Sequence, residues 1–158
     1  MFSCYNIHMI KYIERLANTS QILIVGDIIV DAFYFCGSNK KSAEVNIPIA
    51  FLESQELRLG GASNVWNNIK GLNVNATLCG SIGRDKYGKF IKDNLKNSSI
   101  LTQSKKTTTK HRYYVNNKQS FRLDDDYICN HGKKVYDNLL DKIKKLDIDA
   151  IIISDYLN

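Results

Sequence analysis

The sequence predicts an α/β fold, on three observations. Residues 22–25 form an apolar, mostly β-branched run that stops at Gly26-Asp27, as a buried parallel strand does when it opens into a loop. Residues 150–153 form a second run of the same kind. Between the two, apolar residues recur repeatedly at helical spacing, so strands and helices alternate along the chain.

The elements follow in order. Met9, Ile10, Ile13, Leu16 and Ala17 lie at helical spacing, which predicts a short amphipathic helix. Residues 1–20 are therefore read as a helical extension and 21–158 as the domain. After the first strand come two extended stretches, 32–36 and 47–57, before Gly60-Gly61 opens a helix running to Leu72 with Val65, Ile69 and Leu72 on one face. Strands inserted between a first strand and its helix suggest a flap, at about residues 32–57. Residues 76–82 are the next strand, and 86–95 a helix with Phe90, Ile91 and Leu95 inward. Residues 107–115 and 119–123 form a strand pair whose turn suits Asn116-Asn117. A helix over 133–145, with Val135, Leu139, Leu140, Ile143 and Leu146 as its stripe, leads into strand 150–153. That strand is expected to be buried on both faces. Such a strand is normally followed by a crossover helix, so residues 154–158 read as an interruption rather than a domain end.

Composition narrows the function. A chain of 158 residues, 44% hydrophobic and 24% charged, suits one compact unit. The formal charge of +6 comes largely from scattered lysines such as Lys86, Lys89, Lys92 and Lys96. Such a surface argues for solubility, without the arginine–aromatic interleaving of a nucleic-acid binder. Cys4, Cys36, Cys79 and Cys129 are far apart, with no CxxC pair, so neither a metal site nor a redox motif is signalled and four free thiols are expected. No secretion signal or membrane-length apolar run stands out, and a cytoplasmic location is expected.

Two motifs carry chemistry. In Gly26-Asp27-Ile28-Ile29-Val30-Asp31, two carboxylates stand past the carboxyl end of the first strand, where open α/β sheets bind ligands. They can accept hydrogen bonds from sugar hydroxyls; a turn with two solvated aspartates is the plainer reading. It is not a dinucleotide fingerprint, because G-x-G-x-x-G is absent. In Leu59-Gly60-Gly61-Ala62-Ser63-Asn64, small residues at a helix start let backbone N–H groups approach a ligand, and Asn64 offers both a donor and an acceptor. A loop with a helix cap is the alternative there.

Together, Gly-Asp-x-x-x-Asp, a flap, and Gly-Gly-x-x-Asn resemble the PfkB, or ribokinase, family of sugar kinases. Within it the resemblance is nearest to the heptose 7-phosphate kinases. It is carried by Ser42-Ala43-Glu44-Val45-Asn46-Ile47-Pro48-Ile49, by Arg58 to Val65, by Thr108-Thr109-Lys110-His111-Arg112, by Phe121-Arg122-Leu123-Asp124 and by Ser154-Asp155-Tyr156. The sequence departs from that group at Lys40 or Lys41, where it has an arginine, at Ala43 and Asn46, where it has prolines, and at Leu157-Asn158 after the S-D-Y segment.

The resemblance implies the N-terminal half of a ribokinase-like three-layer sandwich with a small β lid that closes over the sugar and pairs two subunits. It implies that Asp31, Gly60, Gly61 and Asn64 contact sugar hydroxyls, and that Lys110 and Arg112 meet the phosphate of heptose 7-phosphate. A cross-strand charge pattern would explain the last two as well, and Arg122 with Asp124 fits a structural ion pair. The intact family enzyme uses ATP and Mg2+. Its G-A-G-D motif supplies the catalytic aspartate and oxyanion donors, and no Gly-x-Gly-Asp occurs in these 158 residues. The expectation is a kinase portion without a catalytic residue of its own, inactive alone and partnered by a C-terminal half. A non-catalytic sugar-phosphate-binding or dimerising module, or a portion of another sugar kinase, is the competing expectation.

Overall fold

The computed structural model describes residues 9, 11, 12, 14, 15, 19–95 and 99–156. Among the described residues, two four-stranded sheets and three helices follow residue 20 in this mixed α/β structure. Its elements are β1 (Gln21–Gly26), β2 (Ile28–Lys41), β3 (Pro48–Gly60), α1 (Gly61–Gly71), β4 (Asn75–Gly83), α2 (Lys86–Leu95), β5 (Ser99–Ser104), β6 (Thr108–Val115), β7 (Lys118–Asp125), α3 (Lys133–Ile143) and β8 (Ala150–Ser154). Met9, Lys11, Tyr12, Glu14, Arg15 and Thr19 are helical. The other expected helix positions, Ile10, Ile13, Leu16 and Ala17, lie outside the described residues.

The first sheet has the order β5-β4-β1-β8 and is parallel throughout. Its core is laid down by period two. On one face, Ile24, Ala76 and Leu78 pack with Ala62 and Trp66 of α1 and with Ile91 and Leu95 of α2. On the other, Leu23 and Cys79 are equally buried, so the central strands are covered on both sides. Trp66 adds a directional contact, its Nε1 donating to the Ala76 carbonyl at 3.0 Å, which meets the need of a buried indole for a polar partner.

The second sheet has the order β3-β2-β6-β7. β2 pairs antiparallel with β3 and β6 with β7, while β2 and β6 are parallel. The β6–β7 turn falls on Asn116 and Asn117, with φ of 49° and 65°, the left-handed pair a two-residue hairpin requires. β3 begins at Pro48 on the sheet's edge, where proline's missing N–H costs no ladder bond. On one face the rings of Tyr34, Tyr113 and Phe121 stack at 4.6 and 4.3 Å. Tyr34 also joins this sheet to the body, its hydroxyl lying 3.3 Å from that of Tyr87 on α2 and 3.0 Å from His111 Nδ1. Burial, aided by Tyr87, pushes the Tyr34 phenol up to about 12. Burial likewise pulls the His111 imidazole below its usual range, which favours the neutral ring at this joint.

The structure corrects the sequence reading in three places. β5 was not expected. The flap strands are longer than expected, spanning 28–41 and 48–60. The C-terminal elements are less buried than their composition suggested. α3 ends at Ile143 with no buried residue, and Leu140 and Leu146 are exposed. β8 is an outer strand paired only with β1 among the described strands, and Ile151 and Ile153 are 59% and 76% exposed.

Asp85 joins the first sheet to the second. Its Oδ1 accepts from the Gly88 N–H at 2.8 Å, capping α2, and from Thr107 Oγ1 at 2.8 Å. Its Oδ2 accepts from the Thr107 N–H at 2.7 Å, just before β6. Burial alone would raise this carboxyl, but the hydrogen bonds outweigh it and hold it below the ordinary carboxylate range. Because the folded state binds the proton less readily than the unfolded chain, the stabilisation is complete above the unfolded carboxylate range and is lost as pH falls through the depressed folded value. Asp85→Ala should cost about 1–3 kcal/mol in urea unfolding at neutral pH, and the gap from wild type should narrow on acidification.

Candidate sugar-binding cleft

The site is built around the end of β1. Gly26 lies against β8 so closely that a Cβ there would collide with the Ser154 carbonyl. Asp27 then makes three bonds. Its N–H donates to the Ser154 carbonyl at 3.0 Å, its carbonyl accepts from the Ala62 N–H at 2.8 Å, and its Oδ2 accepts from the Tyr156 N–H at 2.8 Å. Of the two motif aspartates, Asp27 is thus the structural one. It anchors the start of α1, where Gly61 has φ of +54° and a Cβ would meet the Asp27 carbonyl. Glycine is the residue that takes this conformation at little cost.

Asp31 is the aspartate the fold leaves facing a cleft. It stands on β2, in register with Arg58 of β3 and Lys110 of β6. Gly60 lies beside it: a Cβ on Gly60 would be 2.5 Å from Asp31 Oδ2, so the glycine makes room for the carboxylate. Asp31 and Asn64 line one open cleft of about 470 Å3, together with Phe33, Arg58, Asn67 and Phe90. Asn64 is exposed there, in the first turns of α1. Two residues of one motif and one of the other therefore meet at a common surface.

Lys110 and Arg112 do not line that cleft but stand next to it. Arg112 directs Nε and Nη2 to Asp31 Oδ1 at 2.9 and 2.7 Å, and both side chains are mostly buried. Lys110 Nζ is 3.8 Å from Asp124 Oδ2 and 5.7 Å from the centre of the Tyr156 ring. Arg122 pairs with Asp124 at 2.7 Å, the ion pair the sequence suggested. Sequence reasoning missed Phe33, whose ring lies under the guanidinium of Arg58 at 4.6 Å. The available signal was its place two residues after Asp31, on the same strand face. Asn67, Phe90 and Asn94 were also missed, being brought in by α1 and α2.

A smaller cavity of about 80 Å3 adjoins the carboxyl ends of β1, β4 and β5, lined by Asp27, Ser81, Ser104, Lys106, Thr108 and Cys129. Lys106 there is paired with both carboxylate oxygens of Asp125. The region brings together a fixed carboxylate, a side-chain amide, glycine backbone and nearby cations.

Comparison with known proteins places the chain in a family. Residues 19–154 match the family described as pfkB family carbohydrate kinase. The chain belongs to this family. The bifunctional protein HldE of Campylobacter jejuni is 36% identical over 141 residues, covering 86% of this chain and 30% of that protein. The protein of the same name from Helicobacter pylori is 35% identical over 144 residues, covering 86% of this chain and 31% of that one. The chain thus spans about a third of the length of these curated relatives. In fold it is similar to phosphofructokinase-2 of Escherichia coli in complex with fructose-6-phosphate, with a TM-score of 0.60 at 13% identity over 85% of this chain and 45% of that one. It is similar also to ribokinase of Giardia lamblia, with a TM-score of 0.59 at 15% identity over 85% of this chain and 44% of that one. These pfkB-family and ribokinase matches agree with the α/β, ribokinase-like reading of a partial domain.

The close approach at Gly60 yields a test. Its φ of −121° suits any residue, so Gly60→Ala acts chiefly through the clash with Asp31, with a lesser approach to the Ile29 carbonyl at 3.3 Å. It should destabilise by about 1–3 kcal/mol in the wild type and by clearly less in an Asp31→Ala background, as four unfolding curves would show.

Proposed function

We propose that this chain forms the sugar-binding portion of an ATP-dependent kinase that phosphorylates the anomeric hydroxyl of a heptose 7-phosphate. The observation that carries the reading is the meeting of Asp31, Gly60 and Asn64 at one cleft in a pfkB-family chain whose 42–49 segment resembles that of the heptose kinases. Asp31 and Asn64 bind sugar hydroxyls, and Gly60 and Gly61 bring backbone close to the ring. Positive charge for the anionic end is available on the strand that carries Lys110 and Arg112.

The second sheet acts as the lid. Its outer strands expose Ile49, Phe51, Leu52, Phe121 and Leu123, which supports pairing of two lids in a homodimer. The exposed face of β8 at Ile151 and Ile153 supports a covering layer, and its outer position in the sheet a further parallel strand, both from a C-terminal kinase half. ATP and Mg2+ are what family membership implies for the intact kinase. Among the described residues no group of three or more His, Cys, Asp or Glu side chains could hold a metal ion. The work of the residues present is to hold and orient the sugar, while phosphoryl transfer needs in addition aligned donors and a base on the attacking hydroxyl.

Calorimetric titration tests the reading. The 158-residue chain should bind heptose 7-phosphate more tightly than unphosphorylated heptose, and Asp31→Ala or Asn64→Ala should each weaken binding by at least about tenfold. With ATP and Mg2+ added, this segment alone should transfer no phosphate above background. Failure to bind either sugar, or robust turnover by the segment alone, would overturn the proposal.

A further inference from the structure

The two basic residues of the Thr108–Arg112 segment are placed differently, and the difference assigns them different work. Arg112 spends two adjacent donors, Nε and Nη2, on a single acceptor, Asp31 Oδ1. Both partners are mostly buried, at 24% and 21% side-chain exposure. A charge-assisted bond with two donors on one oxygen restricts the carboxylate's rotation. Asp31 Oδ2 is then held beside the Cα of Gly60, at the mouth of the cleft shared with Asn64. The Arg112 guanidinium also lies 5.8 Å from the Phe33 ring centre. Lys110 is held more loosely. Its ammonium is 3.8 Å from Asp124 Oδ2 and 5.7 Å from the Tyr156 ring centre, a long ion pair and a ring contact that leave donors for a new anion.

From this we infer that Arg112 is a positioning residue: it fixes Asp31 with Oδ2 presented to sugar hydroxyls, and the recognition of an anionic ligand group falls to Lys110. The inference deepens the proposed sugar-binding function and rests on it for the identity of the hydroxyls. The pairing itself can be judged without any sugar. Loss of Arg112 would release a half-buried carboxylate to rotate, so its cost falls on every hydroxylated ligand alike, charged or not. An anion contact would instead be felt by phosphorylated ligands alone.

The experiment has two arms on the 158-residue chain. In the first, proton–nitrogen NMR follows the Arg112 Nε–H, with inorganic phosphate as the anion probe. A signal protected from exchange, lost in Asp31→Asn and unmoved by tens of millimolar phosphate, is the result expected. A signal that shifts with phosphate and survives Asp31→Asn would overturn the inference. In the second arm, Arg112→Gln should weaken heptose and heptose 7-phosphate by the same factor, about tenfold or more. Arg112→Lys should restore part of the loss, and Arg112→Gln should add nothing to Asp31→Asn. Lys110→Gln should affect the phosphorylated sugar only. Loss confined to heptose 7-phosphate in Arg112→Gln would return the arginine to the anion site and overturn the inference. Wild-type chain that binds neither sugar would overturn the proposed function instead, and the first arm would still decide the role of Arg112.

Discussion

The geometry of the cleft depends on one residue that does not line it. Asp27 uses its N–H, its carbonyl and one carboxylate oxygen to hold Ser154, Ala62 and Tyr156. Those bonds tie the end of β1 to β8 and to the first turn of α1. Because β2 starts at the next residue, the placement of Asp31 four residues on follows from the same joint. An isolated bridge between Ile28 and Gly61 completes it. Two motifs more than thirty residues apart in sequence are thereby held as one surface, mostly by backbone groups.

Much of this was legible in the sequence. The β1 run, the helix opened by Gly60-Gly61, the Lys86–Leu95 helix and the Asn116-Asn117 turn each carry a local signature, either period or turn chemistry. β5 was missed because four of the six residues of S-I-L-T-Q-S are polar and the strand lies at the sheet's edge, where burial imposes little pattern. The exposure of β8 could not be read either. An apolar run states what the strand can tolerate on its faces, while the neighbours that cover it are a property of the sheet order.

The site divides along the same line. Asp31, Gly60 and Asn64 were visible because each stands in a motif whose spacing is local. The Asp31–Arg112 bond was not, since it joins residues on strands brought together only by the parallel register of β2 and β6. The sequence offered Lys110 and Arg112 as phosphate ligands or as a cross-strand charge pattern, and the register is what separates a committed guanidinium from a more loosely held ammonium. Phe33, which both arginines approach, was hidden for the same reason.

The parallel pairing of β2 with β6 also bears on how the chain acquires its structure. Thr108 and Thr109 pair with Ile29 and Val30 across β3, α1, β4, α2 and β5, so one of the second sheet's three strand pairings cannot zip up as a local hairpin. Loop closure over that distance must precede the contacts that reward it. The β2–β3 and β6–β7 hairpins can form early and independently, and their union is then the slow, late event. Until it occurs, the edges of β2 and β6 are open to pairing with the same strands of another molecule, so refolding yield should be limited by concentration rather than by the stability of the finished sheet.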